Sequence, residues 1–497
     1  MSAETIHFQE ELIYQLPKIS NHKDYSDYCE LIERMDEIIK ITGLDLAFAH
    51  EQLHKINAEL VQQRKDTLSV QQSKNIVAHS VKAYRCTICK ILLGKSYREL
   101  SIQLADSTIL QRFCTIARIN DQMKIPTKST LQRYAEMFDE AFLRSQVDRL
   151  NRKAVEQENP LQLQDPFTTE DVYVDATCLK ANIHFPVDWV LMKDCMMTIL
   201  KAIIVIRKHG LKHRIKTPEK FMSEINAICM SMTSIGRKPG SRKERKTMFR
   251  KLKSISQVIR QHGVNYARRL REDRESKTDL SEAQAACVLK RLDKMIELLP
   301  KAIKQANSRI ISNKMTKNED KILSAYHDNV NVIKRGKTGG QFEYGNPLFI
   351  AEQKDGVILD WKLYETDVKE PQSTKESIKR LTEDLNYEIK SLTGDRGCQS
   401  EANDKLLQKK GIVSGLCPRD PDLFIEKMED VSFRKHQKRR AQTEGRIGIF
   451  KNSILDGSLY ERSVENKQMK VAWAVLTHNL WCIARLPSLA ETKKEAA

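Results

Sequence analysis

From residue 171 on, the sequence predicts a mixed α/β domain with a large all-helical insertion after its first strand; an all-α region precedes it. Three observations carry this. VYVDATC (172–178) alternates β-branched and aromatic residues and reads as a strand. Helical spacing then dominates to residue 325, through MKDCMMTILKAIIVIRKHG, EKFMSEINAICMSM, RKTMFRKLKSISQVIRQ and SEAQAACVLKRLDKMIELL. Strand patterns return only afterwards, at 329–334, 346–352, 356–361 and 389–395, and in IVSGLC.

Upstream, residues 1–75 read as polar amphipathic helices such as CELIERMDEIIKIT. Residues 76–145 hold short helical patterns. Ser96 with Glu99 marks one helix start, Ser107 and Thr127 mark others, and Lys128 and Arg133 add charge. This arrangement is either helix-turn-helix-like and DNA-binding, or a bundle for dimerisation. Residues 146–170 carry two Pro and read as a linker, and residues 486–497 as a tail. The catalytic domain is expected over 171–485, with the insertion at 186–325.

The net charge of +18 points to a polyanion partner, most often nucleic acid. The charge is clustered: residues 201–275 hold 21 Lys/Arg against 6 Asp/Glu. The runs RKPGSRKERK (237–246) and FRKLK (249–253) read as contacts to a DNA backbone, without base specificity. The longest apolar runs are too short to span a membrane, and the eleven scattered Cys suit reduced thiols in the cytoplasm. Cys86 and Cys89 form a CxxC without a second pair or His ligands, so they read as helix core rather than zinc ligands. KRGKTGGQ (334–341) has Asn331 where a phosphate loop needs Gly, and reads as a hairpin turn.

The chemistry resides in acids. Asp175 lies in the first strand, Asp395 ends a later strand in TGDRG, and Glu444 sits on a late helix. Three carboxylates brought together repel unless a cation joins them. Hard oxygen ligands suit Mg2+ or Mn2+, and two such ions can clamp both oxygens of a phosphoryl transfer.

These three segments together resemble those of DDE-type transposases of bacterial insertion sequences. VYVDATCLKANIHFPVD resembles the family's first-acid segment, LTGDRGCQSEAND its second and RRAQTEGRIGIFK its third, where Arg440, Glu444 and Lys451 match Arg-x3-Glu-x6-Lys. The likeness spans roughly residues 80–480, ILLGKSYRELSIQLADSTILQRF included. Two features depart from it. Gln437 stands where the fuller pattern has Tyr, and the insertion follows the first acid rather than the second. The resemblance implies a ribonuclease H-like catalytic domain with a mixed five-stranded sheet. It also implies two Mg2+ or Mn2+ ions on Asp175, Asp395 and Glu444, double-stranded DNA as substrate, a homodimer or higher oligomer on DNA, and a cytoplasmic, nucleoid-associated site of action.

At about 100° per residue, Arg440, Glu444 and Lys451 fall within about 40° on one helix face. A carboxylate can then face metal while the cations face phosphates; Arg396, Arg439 and Arg446 extend the basic surface. The expected activity is cleavage of DNA at element ends and transfer of the freed strand to a target. Two alternatives share these residues: an inactive transposase-derived DNA-binding regulator, and a metal-dependent nuclease that cuts without joining.

Overall fold

The computed structural model describes residues 19, 21–119, 122–215, 217–235, 240–334 and 342–489. The chain opens with helices α1 (Lys23–Thr42), α2 (Leu44–Gln62), α3 (Val70–Leu92), α4 (Tyr97–Asp106) and α5 (Thr108–Phe113). A minimal pair of strands follows, β1 (Arg118–Ile119) and β2 (Gln122–Met123), then α6 (Lys128–Ala135) and α7 (Glu140–Val155). Strand β3 (Asp171–Ala181) leads into α8 (Asp188–Lys208), α9 (Pro218–Ser234), α10 (Ser241–Glu272), α11 (Arg274–Lys277) and α12 (Glu282–Ile310). Strands β4 (Asn331–Lys334), β5 (Phe342–Gln353) and β6 (Ile358–Leu363) come next. The remainder alternates: α13 (Glu370–Lys379), β7 (Ser391–Gly394), α14 (Glu401–Lys409), β8 (Val413–Leu416), α15 (Pro421–Lys427), α16 (Val431–Ile449), β9 (Ser458–Leu459) and α17 (Val464–Ala484).

The chain divides into two compact units. The first comprises Met1–Lys180, Pro347–Tyr364 and Val368–Ala497. Among the described residues the mixed open sheet has seven strands where the resemblance implied five: the order is β4-β5-β3-β7-β8, with β6 also paired to β5 and β9 to β3. β5 and β6 form an antiparallel hairpin, whereas β3, β7 and β8 are parallel neighbours. On one side, Val172, Val174, Phe349, Leu392 and Leu416 pack with Ile378 and Leu381, from α13 and its continuation, and with Leu407 of α14.

The helical N-terminal region joins this unit's other core. Phe48 of α2 and Tyr84 of α3 pack on Trp473 of α17, ring centroids 5.9 and 5.6 Å away, and the Trp473 indole N–H donates to the Ala135 carbonyl. Arg85, buried inside α3, is held by Asp36, Asp45 and the Phe113 carbonyl. Cys86 and Cys89 are fully buried, with the Cys89 Sγ 3.5 Å from that of Cys114, and among the described residues no metal-spaced group includes them.

The linker expected at 146–170 is corrected. Residues 140–155 are helical, and Leu143, Val147, Leu150 and Ala154 are buried at i, i+4, i+7 and i+11, one face of a helix. Leu161, Leu163 and Phe167 are buried too. Asn151 of α7 and Asn479 of α17 complete the free edge of β6: Asn479 accepts from the Ile358 N–H, and both amides donate to the Ile358 carbonyl. Such an edge would otherwise leave buried backbone groups unpaired.

The second unit comprises Ala181–Asn346 and Glu365–Asp367, and contains the expected insertion. Helices α8, α9, α10 and α12 enclose its core, with Ile199, Ile203, Phe249, Leu252, Ile259, Tyr266 and Leu292 buried. Gly263 lets α10 approach closely: a Cβ there would lie 2.9 Å from Ile199 Cγ2. Asp188, the first residue of α8, is buried and held by Gln305 and Arg309. Of the loop reading at 334–341, Lys334 ends β4 and the rest lies outside the described residues, as does the start of the basic run at 237–239.

Candidate active site at the carboxyl ends of the parallel strands

Register builds the site. β3 and β7 run parallel with Tyr173 opposite Thr393. Two residues further along each chain come Asp175 and Asp395, so the pairing carries both acids to the same edge. The carboxyl ends of parallel strands are where open α/β sheets place ligands, because the chain reverses there and side chains converge.

Asp175 is partly buried, and the Ala176 N–H donates to its Oδ1 at 2.7 Å. Its carboxyl is pushed up to about 7, chiefly by burial. Asp395 and Glu370 push it further up, while the Ala176 N–H and the Arg440 guanidinium oppose them. Asp395 caps its own turn, accepting the Cys398 N–H at 3.1 Å.

The carboxylate that meets Asp395 is Glu370, the first residue of α13. Glu370, Asp395 and Cys398 offer ligand atoms within 4.8 Å of one another. Gly397 makes room for them: a Cβ there would lie 1.6 Å from Glu370 Oε2 and 3.1 Å from Asp395 Oδ1. Cys398 is fully buried and its thiol is held well above its ordinary range, first by burial and then by Asp395. A protonated thiol is a poor ligand, so the available donors are carboxylate oxygens. This group could hold a metal ion, and its donors are of the hard type that suits a divalent cation. Sequence reasoning missed Glu370. An acid beside Pro at a helix start reads as a complement to the helix dipole, and nothing in KEPQS marks it as more.

Glu444 lies outside that group. Its side chain is 62 % exposed and its ion-pair partner is Arg440, at 3.6 Å. Arg440 is thus the cation shared between the two places: it pairs with Glu444 and its charge acts on Asp175. Lys451 approaches from beyond α16, where the helix widens into a π-turn over Phe450–Ile454. Its ammonium donates to Thr177 Oγ1 at 3.3 Å, and Thr177 shares a strand face with Asp175, two residues on.

Gln437 explains how α16 is seated. Its amide donates to the Gly415 carbonyl at 2.7 Å and to the Gly394 carbonyl at 3.4 Å, tying the helix across the ends of β8 and β7. His436 adds a contact to the Tyr173 hydroxyl.

Arg439 and Arg446 face inward, where the sequence suggested a phosphate surface. Arg439 reaches Glu352 at 3.1 Å and the Lys354 carbonyl, and stacks 4.4 Å over the Tyr173 ring. Arg446 donates to the Lys354 carbonyl and lies 3.8 Å from Glu352. Glu352 is buried on β5 and also accepts from Thr443, so its charge sets where both guanidiniums go. Arg396 is exposed beside Asp395, over the Phe424 ring.

Compared with protein-family models, curated proteins and solved structures, the chain matches none. Among the described residues, no helix is long and apolar enough to cross a membrane.

Proposed function

We propose that the chain is a DDE-type transposase that cleaves double-stranded DNA at element ends and joins the freed strand to a target. The observation that supports this reading is the placement of Asp175, within β3, and Asp395, just past the end of β7, each two residues beyond the paired Tyr173 and Thr393 of adjacent parallel strands; β5 and its hairpin partner β6 lie on the other side of β3. An antiparallel hairpin on one side of the central strand and parallel strands on the other is the arrangement expected of a ribonuclease H-like domain.

Asp175, Asp395 and Glu370 would hold divalent ions, with Glu444 completing the set from α16. Bound there, Mg2+ or Mn2+ would supply Lewis-acid stabilisation of the phosphoryl oxygens and a bound water of lowered pKa. The rest is the work of side chains. Arg440 and Lys451 offer cations on either side of Asp175 for a non-bridging phosphate oxygen, where charge develops in the transition state. Glu444, exposed and beside Arg440, can orient a water or accept its proton. Gln437 fixes the helix that bears these groups, so their geometry does not depend on DNA being bound. The first reaction is hydrolysis of a phosphodiester at the element's end, releasing a 3′-OH; in the second, that hydroxyl displaces a 3′-oxygen in target DNA.

A pre-cut duplex end with a 3′-OH, taken from the DNA flanking the coding region, tests the joining step. Incubated with the protein, Mg2+ and a supercoiled target, it should yield joined products. Nicked target without joining would make the protein a nuclease; unchanged DNA in both assays would leave only a DNA-binding role.

A further inference from the structure

The cations of α10 are not used alike along its length. In its last turns two of them are paired: Arg268 with Glu272, and Arg271 with Asp293 on α12. In its first turns, residues 241–253, seven Lys/Arg stand against one acid, Glu244. Of these seven, Arg245 is anchored to the Ile235 carbonyl and lies over the Trp189 ring. The other six have no carboxylate within ion-pair distance among the described residues; Lys251 stands apart around the helix from Arg242, Lys243, Lys246, Arg250 and Lys253.

Those five are also aligned. At about 100° per residue they fall within about 100° of arc, and at about 1.5 Å rise they extend over about 16 Å. Phe249, Leu252 and Ser256 occupy the buried face of the same turns; Arg242, Lys243 and Arg250 are exposed, and Lys246 and Lys253 half-buried. Glu244 points away from the row, about 100° or more around the helix from each of its members. Like charges at i, i+3 and i+4 destabilise a helix unless something answers them. Among the described residues no carboxylate answers them here, while a few turns later one answers Arg268 and one Arg271.

We propose that this face of α10 is a docking surface for the phosphate backbone of duplex DNA. A straight, rigid row of cations suits a regular phosphate lattice. A single strand is usually gripped by aromatic side chains on which its bases stack, and the row contains none. Contacts of this kind position DNA without reading sequence. The choice of DNA as partner rests on the proposed function, but the test does not depend on catalysis.

The test is fluorescence anisotropy of a labelled duplex with the full chain over a series of salt concentrations. Two proteins are compared with wild type: Lys243→Gln/Lys246→Gln/Arg250→Gln/Lys253→Gln, and the paired-cation control Arg268→Gln/Arg271→Gln. The quadruple variant should bind at least tenfold more weakly at 0.1 M salt, with a log–log salt slope shallower by up to about 3.6, since each neutralised phosphate contributes about 0.9. Its circular dichroism should match wild type and its Tm should equal or exceed it, because Gln keeps the length of each side chain and removes like-charge repulsion along the helix. The control should bind as wild type does. Wild-type affinity and slope in the quadruple variant would overturn the proposal. So would an equal loss in the control, which would make net charge the cause. Equal competition by single-stranded DNA or polyglutamate of matched charge would overturn the duplex assignment. If wild type fails to cleave or join DNA while the quadruple variant alone loses binding, the surface stands and the catalytic reading falls.

Discussion

Glu370 and Asp395 present carboxylate oxygens within 4.8 Å of each other, above the bare backbone of Gly397. Two negative charges so placed repel unless a cation joins them. Glu370→Gln should therefore weaken Mn2+ binding at least tenfold in isothermal titration calorimetry. Gly397→Ala should do the same by displacing the Glu370 carboxylate, with little change in far-UV circular dichroism. Unaltered Mn2+ affinity in both variants would remove Glu370 from the site.

Asp175 gives the site a pH signature. Its carboxyl lies at about 7 in the fold against 3.8 ordinarily, so the folded chain holds a proton that the unfolded chain has released. The sign follows: this group costs nothing below pH 3.8, destabilises increasingly as pH rises to 7, and exacts its full cost above. Asp175→Asn should stabilise the fold at pH 8 by on the order of 2 kcal/mol after solvent screening, with a matching rise in Tm, and hardly at all at pH 4. Saturating Mn2+ should narrow the difference at pH 8, because the ion stabilises the ionised wild-type group. Scanning calorimetry at the two pH values checks this; an equal shift at both would assign the effect to packing.

Arg439 and Glu352 make a contrary prediction for a residue that looks like a DNA contact. Glu352 is buried, and Arg439 is its nearest cation, at 3.1 Å. Without Arg439 the buried Glu352 keeps only the Thr443 hydroxyl and the more distant Arg446, so Arg439→Ala should cost on the order of 2 kcal/mol in urea denaturation. Arg396→Ala should leave stability unchanged and weaken DNA binding, since its side chain is exposed. Equal stability for the two variants would contradict the inward assignment of Arg439.

Much of the sheet was legible beforehand. β3, β5, β6, β7 and β8 fall where alternation and turn residues place them, because each strand carries its own local pattern. What lacked a local pattern was lost. The helix at 140–155 was obscured by Arg152, Lys153 and the polar Gln146 and Asn151, although Leu143, Val147, Leu150 and Ala154 keep helical spacing. Glu370 could not be found from sequence, since only the fold brings the start of α13 to Asp395. Arg439 and Arg446 were misjudged because the buried Glu352 that turns them inward is more than 80 positions away in sequence. Gln437, a mere departure from a pattern when read alone, is the tether of α16 once the carbonyls of Gly394 and Gly415 are in view.

Glu444 separates binding from chemistry. It pairs with Arg440 at 3.6 Å and is largely exposed, so Glu444→Gln removes one negative charge and leaves Arg440 to a phosphate. DNA affinity should stay the same or rise, while cleavage of element ends should fall by at least a hundredfold. Anisotropy and gel-based cleavage on the same preparation check both. Full activity in Glu444→Gln would reduce this stretch of α16 to a basic surface with one ion pair.

The most direct test of the central claim is Mg2+-dependent cleavage of a linear duplex carrying the DNA that flanks the coding region, with wild type and Asp175→Asn side by side. The account predicts a defined 3′-OH product from wild type, none without Mg2+ or Mn2+, and none from Asp175→Asn despite wild-type DNA binding. Cleavage by Asp175→Asn at the wild-type rate would contradict it.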